Sequence, residues 1–175
     1  GSLPAVLVGF FLNDCLEALF DSLFVVGFCL LITSALLFLT NFVKKPDKDL
    51  SQLNWITSFK IGCLQALDIL PGVSRSGSTI SAGLWRGLKR KTAFAFSFYL
   101  GAPAMIGALI LQIPDILNNG IQARIGLVGL ITSAISGFFS LKILEKVVLK
   151  GKLSYFGVYC LSAGMLVLII SSISF

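Results

Sequence analysis

The sequence predicts an all-α, polytopic integral membrane protein, and three observations carry that reading. Of its 175 residues, 56% are hydrophobic and only 13% charged, against about 25% charged in an average soluble domain. The mean hydropathy is +0.94, and the apolar residues gather into runs of the length a bilayer demands, roughly 20 residues per helical crossing. With 14 Lys or Arg and 8 Asp or Glu, the chain cannot clothe a soluble core of this size in a polar shell.

Four runs read as full spans within a single membrane domain, 1–175. Residues 23–42 hold no charge and end at Lys44, Lys45 and Lys48. Residues 92–113 follow Arg86, Lys89, Arg90 and Lys91 and stop at Pro114-Asp115. Residues 125–144 run from Arg124 into Glu145, Lys146, Lys150 and Lys152, and 153–175 close the chain. Ahead of them, 1–22 reads as interfacial or partial helix. The start at Gly1-Ser2 without Met points to a fragment or a trimmed chain, and the apolar stub 3–11 lacks the basic flank of a signal peptide.

Residues 55–86 differ from these runs. They are apolar but broken by Pro71-Gly72 and Ser74-Arg75-Ser76-Gly77, and the second piece, 76–85, reaches only roughly 15 Å, half a bilayer. Lysines precede the segment and Arg86 to Lys91 follow it. If basic loops stay cytoplasmic, the chain leaves the membrane where it entered, which predicts a re-entrant helix-loop-helix with its tip near mid-membrane. Asp14, Glu17 and Asp21 stand on the far side of the first span, so the orientation is self-consistent. Small residues four apart, Gly83 with Gly87, Ala104 with Ala108, Ser133 with Gly137 and Cys160 with Gly164, would let helices approach closely.

Composition also excludes chemistry. Without histidine there is no Ser-His-Asp triad, histidine nucleophile or His-rich metal site. Cys15, Cys29, Cys63 and Cys160 lie singly in apolar stretches and read as small packing residues. The net charge of +6 falls in short basic clusters between spans, the pattern of cytoplasmic loops and not of a nucleic-acid surface.

Irregular backbone at membrane depth persists only where protein or a water-filled cavity satisfies its polar groups, so the loop predicts a polar cavity. Arg75 in that loop calls for an anionic partner. Phosphate fits: Pro71-Gly72 turns the chain, Gly77 permits close approach, and Ser76 to Thr79 open a helix whose N–H groups face the cavity. Ser74, Ser76, Ser78 and Thr79 add donors. Two other readings stand beside this one. Arg75 could simply neutralise Asp68, seven residues earlier, or the broken helix could belong to a transporter that holds an anion at the midplane.

The stretch from Gly62 to Ile80, with its Pro71-Gly72-Val73-Ser74-Arg75-Ser76-Gly77 string, resembles a signature of the undecaprenyl-diphosphate phosphatases, the membrane enzymes linked to bacitracin resistance. The similarity runs on through Tyr99-Leu100-Gly101-Ala102-Pro103-Ala104, with Leu3-Pro4-Ala5 near the start. It covers essentially the whole chain and corresponds to the C-terminal two-thirds of the usual protein.

The resemblance implies hydrolysis of a C55 polyprenyl diphosphate to the monophosphate, for recycling of the cell-wall lipid carrier in the bacterial inner membrane. It also implies an inverted-repeat architecture of which this chain is one half, and a divalent cation, Mg or Ca, at the site. Ser74, Arg75 and Ser76 carry over as diphosphate-binding, catalytic groups, Gly72 and Gly77 as shapers of the loop, and Ser78 and Thr79 as further phosphate donors. Asp68 could face the metal or a proton, and Gln65 could line the cavity. The family's other signature, paired glutamates and a Ser-rich loop ending in Gly-His, is absent. Glu17 and Asp21 have the glutamates' spacing but no such loop follows, so they read as interfacial charges. The expected partners are therefore the lipid diphosphate, the bilayer, an N-terminal half that brings the missing groups, and a homodimer as a further arrangement. A non-catalytic lipid-diphosphate binder or flippase built on the same Arg75 cavity is the alternative, and a structural membrane subunit the third reading.

Overall fold

The computed structural model of the chain describes residues 19–20, 22–43, 46–119 and 123–173. Among them every regular element is a helix. The interfacial reading of 1–22, with Cys15, Glu17 and Asp21, falls almost wholly outside the described residues.

Helix α1, Leu23–Leu39, starts where the Ser22 hydroxyl accepts from the Val25 N–H and tightens into a 3-10 turn, Thr40–Phe42. Helices α2, Trp55–Gln65, and α3, Arg75–Trp85, are short, 11 residues each, roughly 16 Å and too short to cross a bilayer. Helices α4, Arg90–Asn119, α5, Ala123–Leu149, and α6, Ser154–Ile173, follow. Among the described residues, four elements are long and apolar enough to span a membrane: Leu23–Phe42, Arg90–Pro114, Arg124–Leu149 and Ser154–Ile173. The chain is a multi-pass membrane protein.

One helix outruns its span and one span boundary moves. Helix α4 runs through Pro103 and Pro114 to Asn119, while its stretch apolar enough to cross the membrane ends at Pro114. A proline removes one hydrogen bond and crowds one carbonyl, a defect that membrane helices tolerate when the turns on either side stay paired. Helix α5 continues past residue 144 and ends at Leu149 with Lys146 in its last turn, a site that favours a cation. Gly151, at φ +68, then closes α5 in the left-handed conformation.

Helices α1 and α6 form an antiparallel pair. An added Cβ at Gly164 would come within 3.0 Å of the Gly27 carbonyl oxygen, and at the other end the Ser34 hydroxyl donates to the Gly157 carbonyl at 2.8 Å. The small pair Cys160 and Gly164 does serve close approach here, and Gly83 does so between α3 and α4, against Ala93. Ser133 and Gly137 do not: nothing lies within 4 Å of a Cβ added at Gly137. Of the cysteines, Cys29 and Cys160 are buried as packing residues, but Cys63 is exposed.

The segment carrying α2 and α3 returns on itself. Its two feet are pinned together where Lys48 N–H donates to the Gly87 carbonyl and Lys89 N–H donates to the Lys48 carbonyl, both at 2.9 Å. Lys89 Nζ adds a salt bridge to Asp49 at 2.6 Å. The two ends of the segment therefore meet. Helix α3 is its buried arm: every residue from Gly77 to Leu84 is buried, with Ile80 wholly so, inside a core shared with Leu37, Ile61, Ala93 and Leu153. The polar helix thus sits inside, while the apolar wall of α5, including Ile131, Ile135 and Phe139, is exposed. That inversion of the soluble pattern is what a lipid solvent requires.

Candidate functional site

The site is the joint between the two arms of the hairpin. After α2 the chain tightens into a 3-10 turn, Ala66–Ile69, and then reverses over Leu70 to Val73, with Pro71 and Gly72 as the corner residues. Gly72 has φ +98, and an added Cβ would lie 2.6 Å from the Val26 carbonyl oxygen. Only glycine lets this turn press on α1. One side chain of α1 locks it: the Thr33 hydroxyl donates to the Gly72 carbonyl at 3.1 Å and accepts from the Ser74 N–H at 3.0 Å.

Ser74 is the N-cap of α3, its hydroxyl accepting from the Gly77 N–H at 3.2 Å. The cap leaves the N–H groups of Arg75 and Ser76 as the unpaired donors of the first turn. A Cβ at Gly77 would stand 2.9 Å from the Ser74 hydroxyl, so this glycine is what allows the cap. The helix opens at Arg75, one residue before the expected start.

The side chains of that first turn go three ways. Arg75 turns its guanidinium onto α4 at Gly101, where a Cβ would lie only 2.6 Å from Cζ. Its Nη2 is buried without a partner. Ser78 donates to the Asp68 carboxylate and reaches the Ser74 carbonyl at 2.6 Å, while Thr79 donates to the Arg75 carbonyl at 2.8 Å and shares a 2.6 Å bond with Ser97 of α4. In this structure the Ser78 and Thr79 hydroxyls are engaged in holding the hairpin and α4 together. Ser74, Ser76, Gly72 and Gly77 border a cavity of about 390 Å³ whose other walls come from α1, α5 and α6, among them Leu30, Leu37, Leu144, Phe156 and Cys160. That cavity is mainly apolar and does not include Arg75, in contrast to the polar cavity around the guanidinium expected above. The α3 N-terminus is the point where the two faces meet.

The simple neutralisation of Asp68 by Arg75 is not made. Among the described residues the one salt bridge within 4.0 Å is Lys89 with Asp49. The second oxygen of Asp68, Oδ2, is buried without a partner, as are Gln65 Oε1 and Ser81 Oγ along the same seam between the arms. Three supporting residues escaped the sequence reading: Thr33, Ser97 and Gly101. The adjacent hydroxyls of Thr33 and Ser34 in the middle of the apolar first span were the available signal for Thr33. For Gly101 and Ser97, the signal was their spacing of four on one face of α4, matching Arg75 and Thr79 on α3.

The sequence has relatives that match it over nearly its whole length. A relative from Halothermothrix orenii named undecaprenyl-diphosphatase is 36% identical over 176 residues, covering 99% of this chain and 68% of its own length. One of the same name from Alkaliphilus metalliredigens is 33% identical, covering 97% of this chain and 63% of its own. A third, from Methanothermobacter thermautotrophicus, is 39% identical, covering 96% of this chain and 95% of its own. The chain thus spans about two thirds of the first two relatives and nearly all of the third. Because the matches run over the whole chain, they give no support to reading it as a C-terminal part alone. The family model described as bacitracin resistance protein BacA matches residues 1–166, and the chain belongs to that family.

Proposed function

We propose that the chain is a membrane undecaprenyl-diphosphatase, hydrolysing a C55 polyprenyl diphosphate to the monophosphate and inorganic phosphate, and so recycling the cell-wall lipid carrier. One observation carries the reading: a capped helix N-terminus with an unpartnered arginine, set beside an apolar cavity in the interior of a membrane protein. The N–H groups of Arg75 and Ser76, with the Arg75 fork, would hold the non-bridging phosphate oxygens, and Ser74 and Ser76 would line their approach. Phosphoryl transfer asks chiefly for positioning and neutralisation of spreading charge, and fixed donors in a water-poor site supply both. The first isoprene units of the lipid would lie in the cavity against Leu37, Leu144 and Phe156.

In this reading the hairpin is re-entrant in the cell's inner membrane, with both feet at the cytoplasmic face, and the bare walls of α4 and α5 face lipid or a second copy. The divalent cation implied by the family resemblance was tested against the residues present. No group of three Cys, Asp or Glu converges among the described residues, and Asp68, the one carboxylate of the hairpin, already has an oxygen engaged by Ser78. Ca²⁺ takes about six to eight oxygens, and Mg²⁺ one or two carboxylates besides water and phosphate. The described residues alone do not make such a site.

The test is phosphate release from C55 diphosphate by the purified chain in detergent with Mg²⁺ or Ca²⁺, with Arg75→Ala as control. Release that disappears in the control supports the reading. Binding that depends on Arg75 but gives no release would support the lipid-diphosphate binder instead.

A further inference from the structure

Two buried atoms of the loop have no partner and opposite character: Arg75 Nη2, a donor, and Asp68 Oδ2, an acceptor. Buried polar groups are nearly always satisfied, so a pair of orphans asks for an explanation. These two belong to neighbouring positions. Arg75 and Ser78 stand three residues apart in the first turn of α3, and Ser78 holds the carboxylate through its other oxygen. Arg75 and Asp68 do not close into a salt bridge. The guanidinium lies against the bare backbone of Gly101 and the carboxylate against Ser78. A molecule seated between them must offer a lone pair to the arginine and a proton to the carboxylate. Gln65 Oε1 and Ser81 Oγ are also unpartnered, but each is three residues further from the loop, beyond Asp68 and Ser78, and so lies away from Arg75.

Resting on the functional reading above, we propose that Asp68 is the catalytic base of this chain and Ser78 its positioning residue. The terminal phosphoryl group sits on Arg75, and a water beside it donates one O–H to Asp68 Oδ2. The water oxygen forms the new bond to the terminal phosphorus while its proton passes to Oδ2. The bond from that phosphorus to the bridging oxygen breaks, and its electron pair leaves with the lipid monophosphate. Inorganic phosphate is the second product, and Asp68 then gives up its proton. No serine needs to act as nucleophile.

The experiment compares wild type with Asp68→Asn on C55 diphosphate in detergent, reading kcat and KM separately alongside binding of the lipid. The asparagine keeps the shape and still accepts from Ser78, so only the ability to take a proton is lost. The expected result is a kcat lower by roughly 10²- to 10⁴-fold, the usual worth of a general base, with KM unchanged. Asp68→Asn with wild-type kcat overturns the proposal and leaves the functional reading intact. If wild type itself releases no phosphate, the functional reading falls and this proposal with it. Should Asp68→Asn fail to bind the lipid, Ser78→Ala decides, because it leaves the carboxylate but frees it to turn. A kcat drop of about tenfold or more with binding kept supports the base, and an unchanged kcat overturns it.

Discussion

Replacing Gly101 by alanine should separate the role of the Arg75 guanidinium from the stability of the fold. The new Cβ would lie 2.6 Å from Cζ and 2.9 Å from Nη1. Ordinary contact begins near 3.4 Å, so the group must withdraw by about 0.8 Å, the difference of those two distances at Cζ. The atoms in the way are the far end of a flexible side chain, which yields without moving backbone. Alanine is also favoured over glycine inside a helix by roughly 0.5–1 kcal/mol. Thermal unfolding in detergent should therefore show a protein at least as stable as wild type. Activity should not survive as well, because a displacement near 1 Å at a group that positions the reacting phosphoryl costs on the order of 10²-fold. The assay is kcat/KM for phosphate release from C55 diphosphate, with Gly107→Ala, further along the same helix and with nothing within 4 Å of the new Cβ, as the neutral control. Wild-type kcat/KM in Gly101→Ala would refute the link between guanidinium position and catalysis, and an unfolded protein would refute the claim that the side chain yields.

Other perturbations follow from the same contacts. Thr33→Val deprives both the Gly72 carbonyl and the Ser74 N–H of their partner, and unfolding should show a loss of about 1–3 kcal/mol, largely restored in Thr33→Ser. Gly164→Ala meets the backbone oxygen of Gly27 at 3.0 Å, which cannot rotate away, so α1 and α6 must part; the expected destabilisation is about 1–3 kcal/mol, whereas Gly137→Ala on the bare face of α5 should cost nothing in the same denaturation assay. A reporter fused after Phe175 should be found outside the cytoplasm, given basic loops within it; a cytoplasmic signal would overturn the orientation.

Much of the architecture was legible in the sequence because lipid imposes a simple rule. Each crossing must be a long apolar helix with charge at its ends, so runs such as 23–42 and 153–175 announce themselves. The break between the two short helices was legible as well, because Pro71-Gly72 interrupts an apolar run whose pieces are each too short to cross. Other features depend on surroundings that local signals do not carry. The helix around Pro114 keeps its remaining hydrogen bonds in an apolar setting and continues to Asn119, past the span that ends at that proline. The hydroxyls of Ser78 and Thr79 are engaged by Asp68, Ser97 and the helix's own carbonyls.

The solvent, the long spans, the place of the break and the residue string at its tip all depend on composition and spacing along the chain, and are readable there. The direction in which each side chain of that tip points is a property of the packed helices. Arg75 faces Gly101, Asp68 leans on Ser78 and not on Arg75, and Thr33 of a distant span holds the turn. Those outcomes depend on which helices lie beside α3 and how closely their backbones approach. Hydrophobic periodicity does not encode such distances, and a single missing Cβ, as at Gly101 or Gly72, settles them.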